Sequence, residues 1–264
     1  MSVTLAVRKD DSQKASISRG VSKVCGYKMD VMTEESSSRA GWQVLNLKSA
    51  PKYDCIFGVA TKTKTGSVVS GDCYSITKIN DGKYLFALCD GMGSGQKAEE
   101  VSSTAIGLIE NFYKAGFEKE IIISGVNKLL SMGNDESFSA LDLCVVDVRE
   151  GVGDFIKMGA PQSFVKHKDT TQIIDIGALP LGIVQNVETK TKELFLTSGD
   201  KIVLVTDGIS DSFKTTEELC DFINNISTNN PQEIADTILY KDLENNNKVA
   251  KDDMSVIVTK IFER

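Results

Sequence analysis

Hydrophobic positions along the chain change period several times, and each change marks an element. Residues 55–60, 73–79 and 84–89 are short apolar runs that read as three consecutive strands, with Asn80-Asp81-Gly82 as a hairpin turn between the second and third. The period then lengthens. Ala98, Val101, Ala105, Leu108, Ile109 and Phe112 recur at three- and four-residue steps, which predicts a helix over 98–112. A second helix follows over 120–132, carrying Ile122, Val126, Leu129 and Leu130. Short strands are predicted at 141–148, 154–158, 163–166, 173–176, 193–196 and 202–205. Helices resume at 216–226 and 231–239, the latter with Pro231 at its first position, and a strand over 254–261 closes the pattern. The first 50 residues are the least regular: 3–7 and 43–47 alternate like strands, and 34–38 reads as a solvated loop.

Strands, a helix pair, more strands, a helix pair and a last strand do not make the βαβ alternation of a parallel sheet. The order predicts an α+β sandwich, antiparallel sheets covered by helices. No linker-like stretch or internal repeat divides the chain, so on pattern alone one domain is the simplest account.

Composition narrows the chemistry. Of 264 residues 41% are hydrophobic and 25% charged, ordinary globular values that exclude wholesale disorder. Thirty Lys and Arg against 37 Asp and Glu leave a net charge of −7, which argues against a nucleic acid or an anionic membrane as partner. No apolar run approaches the ~18 residues of a membrane span, and the N-terminus has no signal-peptide core; a soluble cytoplasmic protein is expected. The six cysteines, at 25, 55, 73, 89, 144 and 220, form no CxxC pair, so zinc ribbons and thioredoxin-type sites are unsupported. The single histidine, His167, sits in a polar run and reads as a surface residue. Any metal would have to be held by carboxylates.

Three acidic positions stand at strand ends: Asp90 before Gly91, Asp207 before Gly208, and Asp252, with Asp253 beside it, before Met254. A carboxylate leaving one strand and another entering its antiparallel neighbour share one rim of a sheet. Clustered carboxylates without histidine or cysteine suit a hard cation, Mg²⁺ or Mn²⁺. Asp-Gly is also a common turn dipeptide, so each pair taken singly has an ordinary structural reading. The glycines after Asp90 do not make a phosphate loop: GxGxxG needs glycine where Gln96 stands, and the Walker pattern needs Gly-Lys-Ser/Thr where the chain has Gly95-Gln96-Lys97-Ala98.

Taken in order, Ser70-Gly71-Asp72, Asp90-Gly91-Met92-Gly93-Ser94-Gly95, Thr206-Asp207-Gly208 and Asp252-Asp253-Met254-Ser255-Val256 resemble the signature of the metal-dependent 2C-type serine/threonine protein phosphatases. Val69–Ser75, Leu141-Asp142-Leu143, Leu179–Ile183, Gly159–Phe164 and Asn230–Asp236 are similar in particular to the phosphatase domains of the stage II sporulation E family. The resemblance covers roughly 50–262. It implies a four-layer α/β/β/α sandwich of two antiparallel sheets over 51–264, and residues 1–50 as an extension that is the end of a regulatory region. It implies hydrolysis of phosphoserine on an anti-sigma-factor antagonist during sporulation, by a water activated between two Mn²⁺ or Mg²⁺ ions. Asp90, Asp207 and Asp252 match catalytic metal ligands, the Gly91 carbonyl joins Asp90, Asp72 matches an outer ligand acting through water, and Asp253 is the second choice for the last ligand. Eukaryotic relatives carry a histidine after Asp-Gly as proton donor; here Met92 stands there and cannot donate. The family also implies a homodimer through the regulatory region, a longer membrane-anchored parent, and a helix pair over 98–132 acting as a switch on Asp90 and Gly91. The alternative reading is a catalytically silent phosphatase-like module that binds a partner.

Overall fold

The computed structural model describes residues 2–10, 13–79, 82–93, 95–132 and 138–264, so Asn80 and Asp81 of the predicted hairpin turn and Ser94 lie outside the described residues. Internal contacts divide the chain into Met1–Lys52 and Tyr53–Arg264.

The first unit holds strand β1 (Ser2–Arg8), helix α1 (Lys14–Cys25) and strands β2 (Met29–Ser36) and β3 (Trp42–Ser49), in an antiparallel sheet of order β1-β3-β2. Strict alternation along β3 buries Leu45 and Leu47, and Ile17, Val21 and Cys25 of α1 pack on them beside Met29. The sequence reading missed α1, because that stripe is one residue wide among Ser, Lys, Arg and Gly. It also placed a loop at 34–38. Residues Glu34, Glu35 and Ser36 instead end β2, opposite Leu45, Val44 and Gln43. Charges on such an edge strand discourage pairing with other chains.

The second unit runs β4 (Tyr53–Lys62), β5 (Asp72–Ile79), β6 (Lys83–Gly91), α2 (Gln96–Lys114), α3 (Lys119–Ser131), β7 (Ser139–Asp147), β8 (Val152–Met158), β9 (Ser163–His167), β10 (Thr170–Ile174), β11 (Thr191–Phe195), β12 (Lys201–Val205), α4 (Asp207–Ser210), α5 (Thr216–Asn225), α6 (Pro231–Asn245) and β13 (Met254–Glu263). Two five-stranded antiparallel sheets result, of order β11-β8-β7-β6-β5 and β10-β9-β12-β13-β4. The α+β sandwich expected from the element order is the architecture found.

Strand alternation builds three apolar layers. Leu85, Ala87 and Cys89 of β6 face α2 and α3, whereas Phe86 and Leu88 face the other sheet. Ile202 and Leu204 of β12 and Ile257 and Ile261 of β13 meet them in the middle layer. Val203, Val205, Val256 and Val258 turn outward under α5 and α6. The continuous apolar run at 202–205 is a central strand, as its lack of alternation implies. Gln232 at the start of α6 ties that layer down, its amide bonding Val59 N (3.0 Å) and Val59 O (2.7 Å). Among the described residues no helix is long and apolar enough to cross a membrane.

Candidate metal centre

Each sheet contributes two acidic strand ends. Asp72 opens β5 directly opposite Asp90 at the exit of β6. Asp207 follows β12, and Asp252 and Asp253 precede its antiparallel neighbour β13. The sequence reading placed these aspartates on the rim of a sheet; they occupy the facing rims of two. Alternation decides where the first pair points. Asp90 shares parity with Phe86 and Leu88, so it lies on the side facing the other sheet, and Asp72, its direct partner, shares that side.

Asp72 is stitched across the sandwich. Its Oδ2 accepts from Thr206 Oγ1 (3.0 Å), at the end of β12, and from Ser255 Oγ (2.7 Å) on β13, while its buried Oδ1 has no partner among the described residues. Burial raises its pKa to about 6. Asp90 is pushed to about 8, first by burial and then by the charges of Asp72, Asp207, Asp252 and Asp253. Asp207 is raised too, by burial and by Asp211 and Asp252. Such repulsion marks a place where a cation is favoured.

The adjoining aspartates at 252 and 253 differ. Asp253 is buried, with Oδ1 accepting from Lys64 N (2.8 Å) and Oδ2 from Gly71 N (2.7 Å). Asp252 is half exposed, with Lys64 Nζ 3.4 Å from its Oδ1, and borders a cleft of about 160 Å³ with Asp207 and Asp211. Two glycines permit the close packing beneath. A Cβ on Gly91 would lie 2.0 Å from the Ala98 carbonyl oxygen in the first turn of α2, and one on Gly208 would lie 2.0 Å from the Asp253 carbonyl oxygen. Ser139 Oγ donates to the Asp90 carbonyl (2.8 Å) and fixes the end of β6.

Among the described residues no three of these side chains converge on one point, so closing on a cation requires side-chain rotation. The space at the site is small. The cavity shared by Asp90 and Asp207 is about 20 Å³, whereas a groove of about 600 Å³ lies around Lys83, Phe117 and Lys119, at the other end of β6.

The raised carboxylates carry a stability prediction. Unfolded, Asp72 and Asp90 titrate near ~4. Between that value and their folded values, about 6 and about 8, the folded protein holds more protons than the unfolded one. Their contribution to stability is therefore greatest below pH ~4 and is lost as pH rises through 6 and then 8. Thermal melts in chelator are expected to fall between pH 5 and 8.5, less steeply in Asp90→Asn. A wild-type melt that rises over that range would contradict the arrangement.

Asp72, Asp90, Gly91, Asp207, Asp252 and Asp253 are thus neighbours at one end of the sandwich. The hydroxyls of Thr206 and Ser255 and the cation Lys64 were not singled out from sequence. Both hydroxyl residues stand inside the motifs that carry the family resemblance, the signal that could have found them. His167 lies far along the strands from this end, exposed, with Nδ1 2.5 Å from Asp200 Oδ1.

Residues 80–262 match the family model for stage II sporulation protein E. The chain is 36% identical over 209 residues to the stage II sporulation protein E of Priestia megaterium, covering 77% of this chain and 36% of that protein. It is 32% identical over 226 residues to that of Bacillus subtilis (strain 168), covering 84% and 27%. The chain thus spans about a third of the length of these relatives. The solved structure of the PP2C phosphatase domain with a fragment of the regulatory domain of Bacillus subtilis SpoIIE superposes at TM-score 0.82 and 28% identity, covering 100% of this chain and 79% of that one. Motif order, two-sheet architecture and these matches agree: the chain belongs to the stage II sporulation protein E family and has the PP2C-type serine/threonine phosphatase fold.

Proposed function

We propose that this domain hydrolyses phosphoserine on a protein, an anti-sigma-factor antagonist acting during sporulation, with two Mn²⁺ or Mg²⁺ ions at the facing sheet rims. The observation that carries the reading is the gathering of Asp72, Asp90, Asp207, Asp252 and Asp253 at the facing sheet rims, where burial first and then the four neighbouring charges push Asp90 to about 8, a surplus of negative charge that divalent cations offset. Asp90, the Gly91 carbonyl, Asp207 and Asp252 would hold the ions. Asp72, whose buried Oδ1 has no partner among the described residues, would act from behind them. Asp253 already satisfies two backbone N–H groups, which favours Asp252 as the ligand and Asp253 as the residue that anchors the 64–71 loop.

The bound cations supply charge, acidifying water at the site and offsetting the phosphoryl oxygens. The chain supplies the geometry. Thr206 and Ser255 hold Asp72 in one rotamer, Ser139 holds the Asp90 backbone, and the Gly91–Ala98 approach fixes the first turn of α2 against the site. Met92, 60% exposed, has no proton to give, so the leaving serine would take its proton from water at the site or from the substrate's own surroundings. A cavity of about 20 Å³ is too small to engulf a metabolite, which suits a side chain presented on a protein surface.

The test is phosphate release from the serine-phosphorylated anti-sigma-factor antagonist, with Mn²⁺ or with chelator. Release that needs Mn²⁺ supports the reading. Mn²⁺-dependent release only from other phosphoproteins would keep the enzyme and remove this substrate. Silence on every substrate, with the protein folded and Mn²⁺ bound, would favour the binding-module reading.

Residues 1–52 are proposed to be regulatory and to support a homodimer. Coverage of the whole chain by a structure that includes a regulatory-domain fragment supports this. Removing them is expected to change Mn²⁺ affinity or turnover several-fold; equal values with and without them would count against it.

A further inference from the structure

We propose that Asp142 is a positioning residue for the metal-binding carboxylates, acting through an ordered water in the small cavity beneath them. The inference rests on the reading of Asp90 and Asp207 as ligands. Asp142 lies on β7, opposite Leu88 of β6 on one side and Lys157 of β8 on the other. By parity with Cys144 and Val146 its side chain enters the space between the sheets, as do those of Lys157, with Phe155, and Ser163, with Val165. All three are fully or almost fully buried.

Among the described residues both polar contacts of Asp142 go to one oxygen. Lys157 Nζ lies 2.6 Å from Asp142 Oδ2, and Ser163 Oγ, from the opposite sheet, donates to the same atom. Asp142 Oδ1 is buried with no partner among the described residues. A buried carboxylate oxygen left in that state is normally met by water. The space for one is present. Asp142, Asp90, Thr206 and Asp207 line a cavity of about 20 Å³ together with Gly159, Ala160 and Pro161. That volume is about right for a single water. The wall is pinned by the same group, because Lys157 Nζ donates to the Pro161 carbonyl (2.5 Å).

Water satisfies the chemistry because it has two protons to donate, one to Asp142 Oδ1 and one to a carboxylate of Asp90 or Asp207. The bridge orients those carboxylates from behind, in the way that outer hydrogen bonds orient metal ligands. Lys157 neutralises Asp142, so the bridge adds no further net charge to a crowded site.

A high-resolution crystal structure of the wild-type chain is expected to show a water within hydrogen-bond distance of Asp142 Oδ1; a dry cavity overturns the proposal. Calorimetry then measures Mn²⁺ affinity. The double variant Asp142→Leu/Lys157→Met replaces the buried pair with apolar groups of similar size, a change folding generally tolerates. It is expected to bind Mn²⁺ about 10-fold more weakly, whereas Ser163→Ala, which keeps Oδ1, retains wild-type affinity. Wild-type affinity in the double variant overturns the role of Asp142 alone. Absence of Mn²⁺ binding by the wild type overturns the metal reading and this role with it. Should the double variant fail to fold, the crystallographic water decides.

Discussion

Asp90→Asn is expected to abolish Mn²⁺-dependent phosphate release, lowering turnover by at least about 10³-fold, which corresponds to about 4 kcal/mol of transition-state stabilisation. Asn keeps the size of the side chain and removes the charge on which the other four aspartates act. The substitution therefore separates chemistry from folding. Losing one negative group from a crowded, buried site relieves repulsion, so the variant without metal should melt no lower than wild type at pH 8. Phosphate release and thermal melts on the same preparations check both halves. A variant that releases phosphate at wild-type rate would remove Asp90 from the site; one that is inactive and unfolded would leave the charge argument without support.

Gly91→Ala should have the largest effect on the fold near the site. Its Cβ would lie 2.0 Å from Ala98 O and 2.7 Å from Ala98 C, atoms of the helix backbone that cannot rotate aside. Forcing such atoms apart costs about 1–3 kcal/mol, or about 2–4 °C in melting temperature per kcal/mol for a domain of this size. The displacement falls on the residue whose carbonyl is proposed to meet the metal and whose neighbour is Asp90. Activity should therefore be lost well below the melting temperature. Gly107→Ala in the same helix provides the contrast: a Cβ there meets nothing within 4 Å, and the change should stabilise the helix by about 0.5–1 kcal/mol. Equal melting temperatures and activities for the two variants would show that the β6–α2 approach has no special role.

Much of the second unit was legible because its strands and helices are long enough for the period to speak. The stretch at 84–89 is buried on both sides and lies in β6, and 98–112 falls within α2. Boundaries moved where packing extended or shifted an element. The helix predicted over 231–239 runs on to Asn245, with Leu239 and Asp242 still buried, and the strand expected at 173–176 pairs instead over Thr170–Ile174 against β9. Of the helix pair expected over 98–132, the first turn of α2 packs against Gly91, and α3 begins beside the groove at the other end of β6. The first unit was read least well because its buried stripe in α1 consists of Ile17, Val21 and Cys25 alone.

By itself the sequence determined which residues could do the chemistry. One histidine and no CxxC pair left carboxylates, and the aspartates stood next to strand ends and glycines, all properties of contiguous residues. Only the tertiary structure decided how those ends meet. It faced two sheet rims rather than one, and it supplied Asp72 with hydroxyls 134 and 183 residues away in the chain. It also bound Asp253 to backbone at positions 64 and 71 while leaving Asp252 half exposed, and it paired Asp142 with Lys157 inside the sandwich. Periodicity is local and survives in the order of residues. Sheet-to-sheet contact depends on which faces pack together, and that is set by the folded core as a whole.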